Sequence, residues 1–234
     1  MITILNNIMT SNGFVLVDID FTNEEFPLSL FKSQNQRREE YFLTLEISSP
    51  SSETLKSFLD DKAQAIFEEI QKSDKVERYF EKNCTMLICL ESKNLDHGMV
   101  LAIEEDPYNF KKNVITYTPA ELAAINRHLT GNTISAIHNN VINEILNSNN
   151  GKDFLDFKHQ IRTRNPLYDL TIRIVLKLPF LTYSPQEQKL ENLSLQINDA
   201  IPNQLTEIFH KILSVEWSDE NILAHVESIW WDKA

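Results

Sequence analysis

Leu101-Ala-Ile-Glu-Glu-Asp-Pro-Tyr-Asn-Phe-Lys-Lys-Asn-Val-Ile-Thr-Tyr-Thr118 is the stretch around which the chain is organised. An apolar run from Met99 to Ile103, read as a strand, meets three successive carboxylates, Glu104, Glu105 and Asp106, and then Pro107, which stops a strand and can open a helical turn. The sheet is therefore expected to end here. Beyond the proline, Tyr108, Phe110 and Tyr117 surround the cationic pair Lys111 and Lys112, so acid, aromatic and base crowd one short segment. Two readings are open. One is a contact surface for a partner; the other is a solvated strand-to-helix corner whose Phe110 enters the core.

Upstream, Cys84 to Leu90 is short and nearly all apolar, as a central strand buried on both faces should be. Asp96-His97-Gly98, after Lys93 and Asn94, reads as a turn that returns Met99 to Ile103 as its antiparallel partner. Gly13 to Phe21 sets Val15, Val17, Ile19 and Phe21 on one face against Phe14, Leu16, Asp18 and Asp20 on the other, the pattern of a half-buried strand. Tyr41 to Ile47 repeats the alternation and the serine- and proline-rich stretch after it ends the strand. From Ser52 or Glu53, Leu55, Phe58, Leu59, Ala63, Ile66, Phe67 and Ile70 recur by threes and fours, which predicts a helix covering one sheet face. Because the strands come mainly in pairs, without a β-helix-β rhythm, residues 1–118 read as α+β: a mainly antiparallel sheet with a covering helix.

Downstream the signal changes to helix. Thr118-Pro119-x-Glu121 is a capping box with proline at the first helical position, followed by Leu122, Ile125 and Leu129 at helical spacing. Gly131 ends or interrupts this helix; Ile134 to Leu146 continues, Asn147 to Gly151 is a loop, and Phe154 to Ile161 a short amphipathic helix. Leu167 to Leu178 fits both periods, but Asn165-Pro166 looks like an N-cap with proline at N1 and Pro179 closes the run, so helix is favoured. Gln186 to Ala200, Asn203 to Leu213 and a run from Ser218, with its hydroxyl as cap, are further predicted helices. The expected organisation is a sheet region over 1–118 and a mostly helical C-terminal half over 119–234, packed as one compact unit.

Length and charge bound the function. With 234 residues and 27.2 kDa, roughly 70% of the unfolded surface is buried on folding, so stability needs neither disulfide nor metal. Cys84 and Cys89 lie five apart on one apolar segment, where alternation turns them to opposite faces, and they read as buried free thiols of a reducing compartment. Met1 to Leu16 lacks the basic and long apolar parts of a signal peptide and no run has the length of a membrane span, so the expected location is cytoplasmic. Formal net charge is −12, from 34 acids against 22 bases, which opposes nonspecific attraction to nucleic acid or anionic membrane and favours a basic partner subunit. The basic spots at Arg37 and Arg38, at Lys111 and Lys112, and at Lys158, Arg162 and Arg164 with His159 lack interleaved stacking aromatics and read as solvated faces.

No phosphate-loop, dinucleotide, nucleophile-elbow or zinc-protease motif occurs, and four glycines are too few for a phosphate-cradling loop. Glu91-Ser92-Lys93 has the acid-x-lysine spacing of restriction-type nucleases and would need a second acid from Glu104 to Asp106; two charged residues at a strand end is the plainer reading. The six histidines are scattered and carry no metal-ligand spacing. Trp230 and Trp231, adjacent on a terminal helix, point about a hundred degrees apart, so one is available to anchor a partner, or both are wedged in a groove of their own domain.

At Ile103-Glu104-Glu105-Asp106-Pro107-Tyr108-Asn109-Phe110-Lys111-Lys112, then Tyr117-Thr118, the chain resembles the middle components of bacterial ABC-three-component systems, which look like the Lamassu-type antiphage modules. The likeness extends more weakly to Asn83 to Glu91 and to Lys177-Leu178-Pro179-Phe180-Leu181. The resemblance implies an adaptor that joins an SMC-like ATPase to an effector subunit, usually a nuclease, with DNA reached through the complex. It implies no catalytic residue and no cofactor. Contact roles are carried onto Glu104, Glu105, Asp106, Tyr108, Phe110, Lys111 and Lys112, with Pro107 shaping the corner. The alternatives are a metal-dependent nuclease using the Glu-x-Lys site and a small regulatory or antitoxin-like binding protein.

Overall fold

The computed structural model describes residues 1–22, 25–48, 50–91, 97–159, 164–185 and 203–231, with backbone alone at 203, 204, 207, 230 and 231. The chain divides into two units, Met1–Pro185 and Gln186–Ala234.

The first unit is built on a five-stranded mixed sheet in the order β1-β2-β3-β4-β5, formed by Phe14–Val17, Leu28–Ser33, Tyr41–Ile47, Cys84–Glu91 and Lys111–Tyr117. β1-β2 and β2-β3 pair antiparallel, whereas β3-β4 and β4-β5 pair parallel, with Tyr41 opposite Cys84 and Thr85 opposite Lys111. β4 is an interior strand, and Met86 to Leu90 are wholly buried, in keeping with its unbroken apolar sequence. Cys84 and Cys89 are free and buried, and alternation puts them in different cores, one on each face of the sheet.

Parallel neighbours need crossovers, and helices supply both. Between β3 and β4 run α2 (Ser52–Ser57), a π-helical turn (Phe58–Lys62), α3 (Ala63–Lys72) and the short α4 (Phe80–Asn83); the Ser51 side chain caps the first of these by accepting from the Thr54 N–H. Between β4 and β5 runs α5, His97–Glu105. This corrects the strand expected at Met99 to Ile103 and its antiparallel pairing with Cys84 to Leu90. Ile103 is buried with Met99 and Val100 packed on the same core, while Leu101 and Ala102 face solvent, so the apolar residues follow a helical stripe. The β-helix-β rhythm is therefore present, twice, although the class remains α+β. The turn expected at Asp96-His97-Gly98 is likewise corrected, since His97 and Gly98 are the first residues of α5; Asp96, and the Lys93 of the Glu-x-Lys motif, lie outside the described residues.

α1 (Ile2–Ser11), β2 and the short α4 were not anticipated from the sequence. α1 carries no charged residue and no side-chain cap, but buries Ile4, Leu5, Ile8 and Met9 along one stripe. β2 fills the gap between β1 and β3. β1 itself is shorter than the Gly13 to Phe21 alternation predicts, ending at Val17.

Two of the C-terminal helices of this unit start where their capping residues say. In α6, Pro119–Gly131, the Thr118 hydroxyl accepts from the Glu121 N–H at 3.2 Å and the Glu121 carboxylate accepts from the Thr118 N–H at 2.7 Å. In α9, Pro166–Lys177, the Asn165 side chain accepts from the Leu167 N–H at 3.1 Å, which resolves the double periodicity of Leu167 to Leu178 as helix. Between them lie α7, Asn139–Leu146, and α8, Lys152–Lys158.

Helices cover both faces. One core joins α1, α7 and α9 to Phe14, Phe31, Phe42, Leu87, Cys89, Ile115 and Tyr117; the other joins α2, α3 and α5 to Leu30, Leu43, Leu45, Met86, Ile88, Phe110 and Val114. In the second unit the described helices are Asn203–Ser214 and Ile222–Trp231. Ser218 opens the latter with its backbone: its C=O accepts from Ile222 at 3.0 Å and its N–H donates to Asn221 Oδ1 at 2.8 Å. The helix expected over Gln186 to Ala200 lies outside the described residues.

Candidate functional site

The α5-β5 corner is held by one inward lysine. Asp106 accepts from the Tyr108 N–H at 3.3 Å, the Phe110 N–H donates to the Tyr108 C=O at 2.7 Å, and Asn109 between them takes φ +64°, a left-handed conformation that asparagine tolerates. Into this tight loop the Lys112 ammonium donates to the Asp106 carboxylate, to the Tyr108 C=O at 2.6 Å and to the Phe110 C=O at 3.4 Å. Its three donors thus meet three acceptors, and its side chain has no solvent exposure. Lys112 is a strut of the corner, its ammonium turned into the loop.

Phe110 is likewise internal. It is 3% exposed, and its ring meets Phe67 edge-on at 5.2 Å and Phe80 at 6.2 Å, tying the corner to α3 and α4. Glu104 accepts from the Val114 N–H at 2.7 Å and from the Lys177 ammonium at 2.5 Å, linking α5 to the outer edge of β5 and to the end of α9. Arg173 of α9 completes that edge: it donates to the Thr116 C=O at 2.7 Å, to the Asp169 C=O at 3.0 Å and to the buried Glu121 carboxylate. Sequence reasoning missed Arg173 and Lys177, whose partners lie far away in sequence; the capping role of Glu121 was the one visible signal.

What remains outward is a compact set. Glu105, Pro107 and Lys111 are exposed, Tyr108 is 70% exposed, and Leu101 stands one turn before Glu105 on the open side of α5. Of the sequence-predicted residues at the corner, Glu105, Tyr108 and Lys111 face solvent, while Glu104, Asp106, Phe110 and Lys112 form the frame beneath them. Trp230 and Trp231 end the last helix of the second unit, and their side chains lie outside the described residues.

A second polar cluster sits at the C-terminal ends of β3 and β5. Glu46 accepts from the Tyr117 hydroxyl at 2.6 Å, from the Ile2 N–H at 2.9 Å and from the Met1 amine at 3.1 Å. Burial acts to raise the Glu46 carboxyl, but these three donors outweigh it and hold the group below the ordinary carboxylate value. The same burial, reinforced by Glu46, pushes the Tyr117 phenol well up. Every strong acceptor site of Glu46 is filled, so this cluster fastens α1 to the sheet.

Neither Glu104 nor Asp106 is held at the Glu91 end of β4: Glu104 is bound to the Val114 N–H, opposite Ile88, three positions before Glu91. Glu91 stands opposite Tyr117 at the end of β4, whereas Asp106 is bound to Lys112, which stands opposite Met86, five positions earlier and roughly 16 Å away at the usual strand rise. Among the described residues no three His, Cys, Asp or Glu side chains gather as a metal site, and no helix is long and apolar enough to cross a membrane.

Residues 40–146 match the family model described as ABC-three component (ABC-3C) system Middle Component 1, which supports a middle component of such a system and, with it, partner components. The matched stretch runs from the start of β3 to the end of α7 and contains the whole corner. No curated protein and no solved structure matches the chain.

Proposed function

We propose that this chain is a non-catalytic accessory subunit of an ABC-three-component system, an adaptor that joins an SMC-like ATPase to an effector nuclease in a Lamassu-type antiphage complex. The observation that carries the reading is the placement of the family match, which spans β3 to α7 and so includes a corner with a locked backbone and an open tyrosine, lysine and glutamate. Aromatic and cationic side chains carry a disproportionate share of interface energy, and a frame already fixed in the free protein loses little entropy on docking.

In this reading Glu105, Tyr108 and Lys111 touch a partner, and Glu104, Asp106, Phe110 and Lys112 hold them in place. Trp230 or Trp231 anchors a second contact. DNA is engaged only through the complex, for a net charge of −12 repels it from the free chain. Co-expression with the other two components tests the proposal: a stable complex is expected, with no ATP hydrolysis and no DNA cleavage by the isolated chain. A chain that stays monomeric beside both components contradicts it.

A further inference from the structure

The two edges of the sheet are finished differently. At the β5 edge the outward Val114 N–H and Thr116 C=O are taken by Glu104 and Arg173. At the β1 edge the register shows which groups stay open. The Gly13 C=O accepts from the Gln34 N–H at 2.9 Å, so Val15 opposite Lys32 and Val17 opposite Leu30 are the residues that bond to β2. The N–H and C=O of Leu16, between them, point to the free side, and among the described residues no strand pairs there.

The side chains agree with the backbone. Leu16 is 59% exposed and Val15 39%, on a strand with none of the lysine or proline that ordinarily blunts a sheet edge. Just beyond, Asp18 and Asp20 are exposed; the Asp18 side chain is 91% open, with Lys75 donating to its C=O at 2.5 Å and standing 3.8 Å from its carboxylate.

We propose that the β1 edge accepts an extended basic segment of a partner protein, which adds a strand through the Leu16 N–H and C=O. Its alternate apolar side chains lie on the face of Val15 and Val17, and its lysines or arginines lie on the opposite face, beyond Leu16 and beside Asp18 and Asp20. A second copy of this chain is the poorer occupant, because each copy brings a net charge of −12. The proposal deepens the accessory-subunit reading by naming the chemistry of one partner. Its test uses no other component, so either can fail alone.

The probe is a fluorescent peptide of alternating valine and lysine, titrated into the full chain and followed by anisotropy, with an alternating valine and glutamate peptide beside it. The wild type should bind the lysine peptide at least about tenfold more tightly than the glutamate peptide. Leu16→Pro removes the outward N–H at a position that gives β2 no hydrogen bond, and should abolish binding while the protein still melts cooperatively. Should that variant melt early, Val15→Lys with Leu16→Lys repels the same peptide and is read in the same way. Asp18→Asn with Asp20→Asn should weaken binding. Absent binding, equal binding of the two peptides, a folded Leu16→Pro protein that binds like the wild type, or a wild-type dimer that Leu16→Pro makes monomeric would each overturn the proposal.

Discussion

The ammonium of Lys112 is buried against the carboxylate of Asp106, while Lys111, its neighbour in the chain, stands in solvent. Two adjacent lysines therefore have opposite roles. Charge reversal separates them: Lys111→Glu should change stability by less than about 0.5 kcal/mol, as exposed charge changes do. Lys112→Glu puts a second acid beside Asp106 at a position with no solvent exposure and should cost on the order of 3 to 5 kcal/mol, as breaking a buried pair does. Urea unfolding of the two variants checks this, and equal midpoints would remove the strut role from Lys112.

Phe110→Ala tests the frame from its apolar side. The ring packs edge-on against the Phe67 and Phe80 pair, so its loss should cost about 3 to 5 kcal/mol and lower the melting temperature of the isolated protein. A variant that melts with the wild type would mean that the corner is not seated on α3 and α4.

The start of α6 was legible because Thr118, Pro119 and Glu121 state it in side-chain chemistry, and α9 because Asn165 and Pro166 do the same. Met99 to Ile103 was not, because five largely apolar residues satisfy either period; the deciding fact, that β4 and β5 run parallel, lies outside the segment. At the corner, composition identified the segment but not its inside. The alternation of β5 places Lys112 on the side of Phe110 and Val114, and it becomes readable only once Phe110 is known to enter the core. Glu46 gave no signal at all, since its partners Tyr117, Ile2 and Met1 come from distant parts of the chain.

Glu46 makes stability depend on pH in a defined direction. Its carboxyl is held low in the folded protein, so the stability it contributes is fully present above its unfolded value and is lost as pH falls through the folded one. Acidification below the ordinary carboxylate value of 4.5 should therefore lower the melting temperature, and Glu46→Gln should flatten that part of the profile. Parallel profiles for the two proteins would exclude Glu46 as a source.

The thiols should be inert in the folded state. Burial pushes the Cys89 thiol up to about 12 and the Cys84 thiol higher still, which leaves almost no thiolate at neutral pH. A chromogenic disulfide reagent should react with neither until denaturant is added, and prompt reaction of the native protein would show an opening of the sheet that this packing does not allow.

The most direct test is the affinity of the folded chain for its partner components, measured by calorimetry for the wild type, Tyr108→Ala and Lys111→Glu. If the outer face of the corner is the docking surface, each variant should melt like the wild type and bind at least about tenfold more weakly, the loss expected from central aromatic and cationic contacts. Unchanged affinity in both variants would contradict the account and leave the corner as a piece of the scaffold.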